Sequence, residues 1–157
     1  DALIKAGCDV LAQHCDTTAP QEASENNGTW AIGYNSDMSK ETPKATLTSV
    51  IWNWSAYYTS YISSIINASY SGENYYGGMK ESLVSLTELS SLCDDQTAEK
   101  VKEAKEKIVS GDFGVFDGVL KTNTGDSIGE EGKTLDDAKI TGEINWYYHN
   151  VSELKWK

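Results

Sequence analysis

Residues 9–23, DVLAQHCDTTAPQEA, open as a short apolar run and close as the start of a helix. Val10, Leu11 and Ala12 have the uninterrupted apolar character of a buried strand. Thr18 followed three residues later by Gln21 has capping-box spacing, and Pro20 fits a first helical turn. The stretch therefore reads as one βα unit. His14, Cys15 and Asp16, three chemically capable side chains, stand at its corner.

The pattern continues on both sides. ALIKAG (2–7) reads as a helix end with Gly7 at its C-terminal cap. The helix after Thr18 stops at Asn26, Asn27 and Gly28. TWAIGY (29–34) is a second strand, NSDMSKETPK (35–44) a polar loop, and ATLTSVIW (45–52) a third strand with β-branched residues. Ser55 reads as the cap of a helix over 56–70, with Tyr58, Ile62, Ile65 and Ile66 as its buried face.

YYGGMKESLVSL (75–86) reads as extended. TAEKVKEAKEKIVSG (97–111) is an amphipathic helix capped by Thr97, with Val101, Ala104 and Ile108 inside and Gly111 at its end. Residues 113–135 form a hairpin turning at Asn123–Gly125, and GEINWYYHNV (142–151) is an aromatic terminal segment. Strands alternating with helices imply an α/β fold, a Rossmann-like parallel sheet with helices on both faces. In such sheets ligands sit beyond the carboxyl ends of the strands, here at QHCDTT, NSDMS and WNWS.

Charge narrows the ligand. Thirteen Lys, no Arg and 24 acidic residues give a formal net charge of -11. Such a surface repels phosphate backbones, so nucleic acid is not an expected partner. Without Arg there is no bidentate clamp for phosphate or carboxylate, which points to a neutral or weakly polar ligand. No apolar run reaches the ~18 residues of a spanning helix. The first residues carry no basic region followed by an apolar stretch, leaving a cytosolic protein or one whose export signal lies elsewhere.

The chemical motifs are sparse. Cys8, Cys15 and Cys93 are odd in number and lack CxxC spacing, so they read as buried, unreactive thiols with no disulfide framework and no metal site. His14 and Cys15 are neighbours on an extended chain and point apart, which argues against a nucleophile pair. His14 and Asp16 suit a hydrogen-bonding rim, or Asp16 and Thr18 simply cap the helix. Asp37 can accept bonds from a ligand or organise a turn with Asn35 and Ser36, and the two roles are compatible. Trp52 and Trp54, one residue apart, either pack under a helix or offer rings to a flat ligand. No GxGxxG, P-loop or GxSxG occurs, and no cofactor is implied. Four Asn-x-Ser/Thr triplets begin at Asn27, Asn53, Asn67 and Asn150.

Taken together and in order, AGCDVLAQHCDTTAPQEA, WAIGYNSDMS, ATLTSVIWNW, YYGGMKESLVSL, FDGVLKTNTG and WYYHNV resemble the basic membrane protein (BMP) family. These are substrate-binding lipoproteins of bacterial ABC importers, related to purine nucleoside receptors. The resemblance implies a type I periplasmic-binding-protein fold, two α/β lobes closing on a ligand, with purine nucleosides or bases as ligands, an ABC permease as partner, and no catalysis. It implies an extracytoplasmic place, at the cell surface or in the periplasm, with a lipid anchor in the full-length protein. It covers about half of the family length, as a C-terminal portion. Residues 1–75 would belong mainly to the second lobe, about 76–110 would cross back to the first, and 111–157 would form a hairpin and tail.

Carried over residue by residue, the resemblance places His14 and Asp16 on the first ligand loop, Asn35 and Asp37 on the second, and Trp52 and Trp54 after the third strand. Trp54 would stack on the base, with Trp52 second. Lys80, in GGMK, would approach the ligand. Self-association is expected of a chain that exposes sheet edges. The competing readings are a nucleoside-processing enzyme using Asp16 and Asp37 as acid–base carboxylates, and a fragment that binds nothing alone.

Overall fold

A computed structural model describes residues 1–152. The chain divides into two compact units, Asp1–Val109 and Ser110–Lys157. The first is built on a four-stranded sheet in the order β1 (Val10–Ala12), β2 (Trp30–Asn35), β3 (Thr46–Trp52), β4 (Val84–Leu86). β1, β2 and β3 run parallel, and β4 returns antiparallel along β3. The sheet is therefore mixed; its parallel part holds one strand–helix–strand step, from β1 to β2, while β2 and β3 are joined without a helix. β4 lies inside the 76–110 stretch for which the resemblance implies a return to the first lobe.

Register explains which face is buried. Leu11 pairs with Ala31, and Gly33 pairs with Ser49, so these residues share one side of the sheet. α2 (Ala19–Asn27) packs on that side, against β1 and β2. Pro20 stands in its first turn and Gly28, at φ +69°, ends it in the left-handed conformation. A β-carbon at Gly33 would lie 2.3 Å from Ser49 Oγ and 3.1 Å from Gln21 Nε2. The missing side chain is what lets α2 and β3 approach β2 this closely.

The buried set is unusually polar. Leu11, Ala31, Met38, Ala45 and Leu83 are joined inside by Gln21, Ser24, Thr42, Thr46 and Ser49. Most of these polar groups are satisfied. Thr42 and Thr46 share a 2.7 Å hydroxyl bond, Thr42 Oγ1 also donates to the Met38 carbonyl, and Met38 N–H donates to Ser49 Oγ. Gln21 Nε2 donates to Met38 Sδ at 2.6 Å. The expected Thr18–Gln21 capping box is thus not formed: Gln21 turns inward, and Thr18 Oγ1 bonds to Glu22 Oε1 instead.

Several other expectations are corrected. The short helix α1 (Ala2–Lys5) matches its reading, with Gly7 N–H donating to Ile4 O. Val10 is 40% exposed, so β1 buries Leu11 alone. α3 spans Trp54–Ile66 with Asn53, not Ser55, at its N-cap, and Tyr58, Ile62, Ile65 and Ile66 are exposed. Periodicity puts these four on one face, but among the described residues no element covers it. The extended reading of 75–86 reduces to β4, preceded by a turn at 79–82. α4 (Asp95–Ser110) starts before Thr97, whose N–H is held by Asp94 Oδ1 at 2.7 Å. Hydrogen bonds from the Thr97 hydroxyl and N–H hold the Asp94 carboxyl below its ordinary value. Val101 and Ile108 are only half-buried and Ala104 is exposed. The three cysteines are free, and none is buried as expected: Cys15 is exposed, and Cys8 and Cys93 are half-buried.

The second unit contains the expected hairpin, β5 (Leu120–Lys121) and β6 (Ser127–Ile128), turning through Asn123–Gly125. Thr122 is buried at its base and bonds to Thr124 and to Asp126 N–H. The aromatic segment returns along it, Asn123 N–H donating to Tyr147 O and His149 N–H to Lys121 O. A short helix, α5 (Asp137–Gly142), is capped by Asp136. Of the tail expected over 111–157, residues 153–157 lie outside the described residues.

Candidate ligand-binding site

Parallel strands end together, so β1, β2 and β3 deliver their following loops to one edge of the first unit. A cleft of about 410 Å³ opens there, lined by Asp16, Thr17, Thr18, Tyr34, Asn35, Ser36, Asp37, Met38 and Glu41. The first two loops meet directly: Asn35 Nδ2 donates to Asp16 Oδ1 at 3.1 Å. Asn35 has φ +71°, a left-handed geometry that asparagine tolerates better than most residues and that turns the chain sharply out of β2.

Asp37 Oδ1 accepts the Ser39 N–H at 3.0 Å, forming the turn its sequence implied. Hydrogen bonds from the Ser39 hydroxyl and N–H hold its carboxyl below the ordinary range, so it is ionised and acts as an acceptor. Neither Asp16 nor Thr18 caps α2 through its side chain; Ala19 N–H donates to Thr17 Oγ1.

Beside the cleft the rings form a connected series. The His14 and Tyr34 centroids lie 4.1 Å apart. Trp52 Nε1 donates to Tyr34 Oη at 3.3 Å, and Trp52 stacks on Trp54 at 5.6 Å and 23°. Trp54 in turn meets Tyr58 at 6.3 Å. The structure thus brings together His14, Asp16, Asn35, Asp37, Trp52 and Trp54, either at the cleft or along this series. Lys80 stands apart from it, in an exposed turn whose Gly78 N–H donates to Glu81 Oε2 at 2.8 Å and lowers the Glu81 carboxyl. That turn is fastened near the others through Asn53 N–H, which donates to Leu83 O at 2.7 Å.

The residue missed by the sequence reading is Tyr34, which belongs to both the cleft and the ring series. Its signal was present. Tyr34 pairs in register with Val50, and Val50 and Trp52 lie two apart on one face of β3. Ser36, Met38 and Glu41 are further additions, from the loop between β2 and β3. Among the described residues no group of three His, Cys, Asp or Glu side chains gathers as a metal site.

Residues 1–117 match the family model for Bmp, the PnrA-like substrate-binding proteins of ABC transporters. The chain belongs to this family. A purine-binding protein of Brucella abortus is 32% identical over 152 residues, covering 97% of this chain and 43% of that protein. A putative ABC transporter glucose-binding protein of Haloferax volcanii is 30% identical over 118 residues, covering 75% of this chain and 30% of that protein. The chain therefore spans less than half the length of these relatives.

Two solved structures share the fold. A transcriptional activator of the comK gene from Bacillus halodurans superposes with a TM-score of 0.63 at 24% identity, over 71% of this chain and 40% of that one. A solute-binding protein of an ABC transporter system from Conexibacter woesei gives 0.52 at 18% identity, over 73% and 39%. Among the described residues no helix is long and apolar enough to cross a membrane.

Proposed function

We propose that this Bmp chain contributes to the ligand cleft of an ABC importer's binding protein and that the ligand is a purine nucleoside or purine base. The observation that carries the reading is the junction at Tyr34, where the ring series His14–Tyr34–Trp52–Trp54 adjoins a cleft edged by Asp16, Asn35 and Asp37. Rings take the faces of a planar base; ionised carboxylates and an amide take ribose hydroxyls or ring N–H donors. The acidic cleft and the absence of Arg disfavour a phosphorylated ligand. The Brucella relative, named for purine binding, supports the same class.

In this reading Trp54 stacks on the base, Trp52 backs it, and Asp16 and Asp37 accept hydrogen bonds, while Lys80 reaches the ligand from its turn. The binding protein works outside the cytoplasm, at the cell surface or in the periplasm, held by a lipid anchor, and hands its ligand to a membrane permease. Residues 1–75 serve mainly the second lobe and about 76–110 return toward the first. An enzyme reading uses Asp16 and Asp37 as acid–base carboxylates, and the lowered pKa of Asp37 disfavours it as the proton donor of the pair.

A sugar is the second reading, because rings with carboxylates also suit a polyhydroxylated solute and the Haloferax relative is named for glucose. Tryptophan fluorescence titrated with adenine, adenosine, guanosine, inosine and glucose separates the readings. Saturable quenching by purines, abolished by Trp54→Ala, is expected. A response to glucose alone supports the sugar, silence toward all five rejects binding by this chain, and release of free base from adenosine or inosine supports an enzyme.

A further inference from the structure

At the foot of the first ligand loop stands a side chain that the ligand reading does not use. Gln13 follows directly on β1 and is half-buried. Its Oε1 accepts the Cys15 N–H, and its Nε2 donates to the Thr17 carbonyl at 3.2 Å. One amide therefore grips the backbone on either side of Asp16. The same Nε2 reaches Gln21 Oε1 at 3.3 Å and Met38 Sδ at 3.4 Å, so its two protons are shared among three acceptors. Gln21 is fully buried and Met38 nearly so, which anchors the grip in the interior. Turning the Gln13 amide over would set its oxygen against the Thr17 carbonyl and its nitrogen against the Cys15 N–H. A single orientation satisfies both ends.

The consequence falls on Asp16, which lines the cleft and meets Asn35 Nδ2 at 3.1 Å. An exposed carboxylate on a loose loop samples many positions and loses that freedom when a ligand fixes it. With the backbone held at 15 and at 17, the ordering is complete before a ligand arrives. Met38 also lines the cleft, so the same amide ties the first loop to the second. A side chain kept for packing alone needs neither of the two loop bonds.

We propose that Gln13 is a positioning residue of the ligand cleft, presetting the first loop so that the Asp16 carboxylate stands ready for a ligand donor. This rests on the reading in which Asp16 accepts a hydrogen bond from a purine nucleoside or base. Gln13 acts through Asp16.

Gln13→Met tests this, since methionine keeps the length of the side chain and removes both loop bonds. Far-UV circular dichroism and urea unfolding check that the variant folds. Should it not fold, Gln13→Glu, which keeps the acceptor for Cys15 and removes the donors, takes its place in both measurements. In the ligand-free chain, the NMR resonances of the Asn35 side-chain amide report its contact with Asp16. Asp16→Ala should shift them, and Gln13→Met should shift them in the same direction while the backbone amides of β2 and β3 stay in place. Asn35 resonances unmoved by the Gln13 variant overturn the proposal. In adenosine titrations Gln13→Met should weaken binding about tenfold, and Asp16→Ala by at least as much. The double variant should bind no more weakly than Asp16→Ala alone, because the two residues act in series. Losses that add overturn the proposal, since Gln13 then acts by another route. A wild-type chain that binds no adenosine rejects the purine reading instead, and the Asn35 resonances then decide the positioning role by themselves.

Discussion

Tyr34 and Trp52 are joined across neighbouring parallel strands, the indole N–H of Trp52 donating to the Tyr34 hydroxyl at 3.3 Å. Tyr34 also lies against His14, so one side chain links the ends of all three parallel strands. Tyr34→Phe keeps the ring contact and removes the acceptor. A neutral hydrogen bond is worth about 1 kcal/mol, so adenosine affinity should fall roughly three- to tenfold and Trp52 emission should shift. Titration calorimetry and fluorescence on the variant check both.

Gly33 is held by the close approach of Ser49. Gly33→Ala places a methyl 2.3 Å from Ser49 Oγ and should cost about 1–3 kcal/mol. Adding Ser49→Ala removes the nearest atom and should recover part of the loss. Urea unfolding of the single and double variants measures the coupling, and additive losses would show that the two sites do not clash.

Ser24 is fully buried and its hydroxyl has no hydrogen-bond partner among the described residues. Ser24→Ala should therefore raise stability, by about 1 kcal/mol, because it removes a desolvated polar group at little cost in volume. The midpoint of urea unfolding should move upward.

Acid should loosen the β2–β3 loop. The folded-state pKa of Asp37 is depressed by its bonds from Ser39. Its contribution is therefore complete above the unfolded value, about 3.9, and is lost as pH falls through the lower folded one. Asp94 behaves alike at the start of α4. Asp37→Asn should flatten part of the decline in unfolding free energy at acidic pH, and an unchanged profile would remove Asp37 as a contributor.

What the sequence disclosed was mostly local. β2 and β3 follow from alternating residues, and α2 from Pro20 and Gly28, because each signal acts within one turn or one pleat. Gln21 fitted a capping box in spacing, but Gly33 opens room beneath it and the Met38 sulfur takes its amide. That choice depends on a strand twelve residues away and is invisible locally. On α3 the period identified which residues share a face, and a period says nothing about whether anything covers it. Tyr34 lies within β2, and the rule that ligands sit beyond strand ends points to the loops that follow. Tyr34, one residue before the end of β2, reaches the same edge, where it pairs with Val50.

The pairing of β2 with β3, constant from Ile32 to Asn35 after an irregularity at Ala31/Ile32, has a consequence for how recognition can fail. The ring series exists because Tyr34 and Trp52 fall on one side of the pleat. Sliding β3 by a single residue would send Trp52 through to the opposite side while preserving most of the backbone ladder. Such a molecule would keep its secondary structure and forfeit its ligand, so circular dichroism would pass it as sound and only the indole fluorescence would give it away.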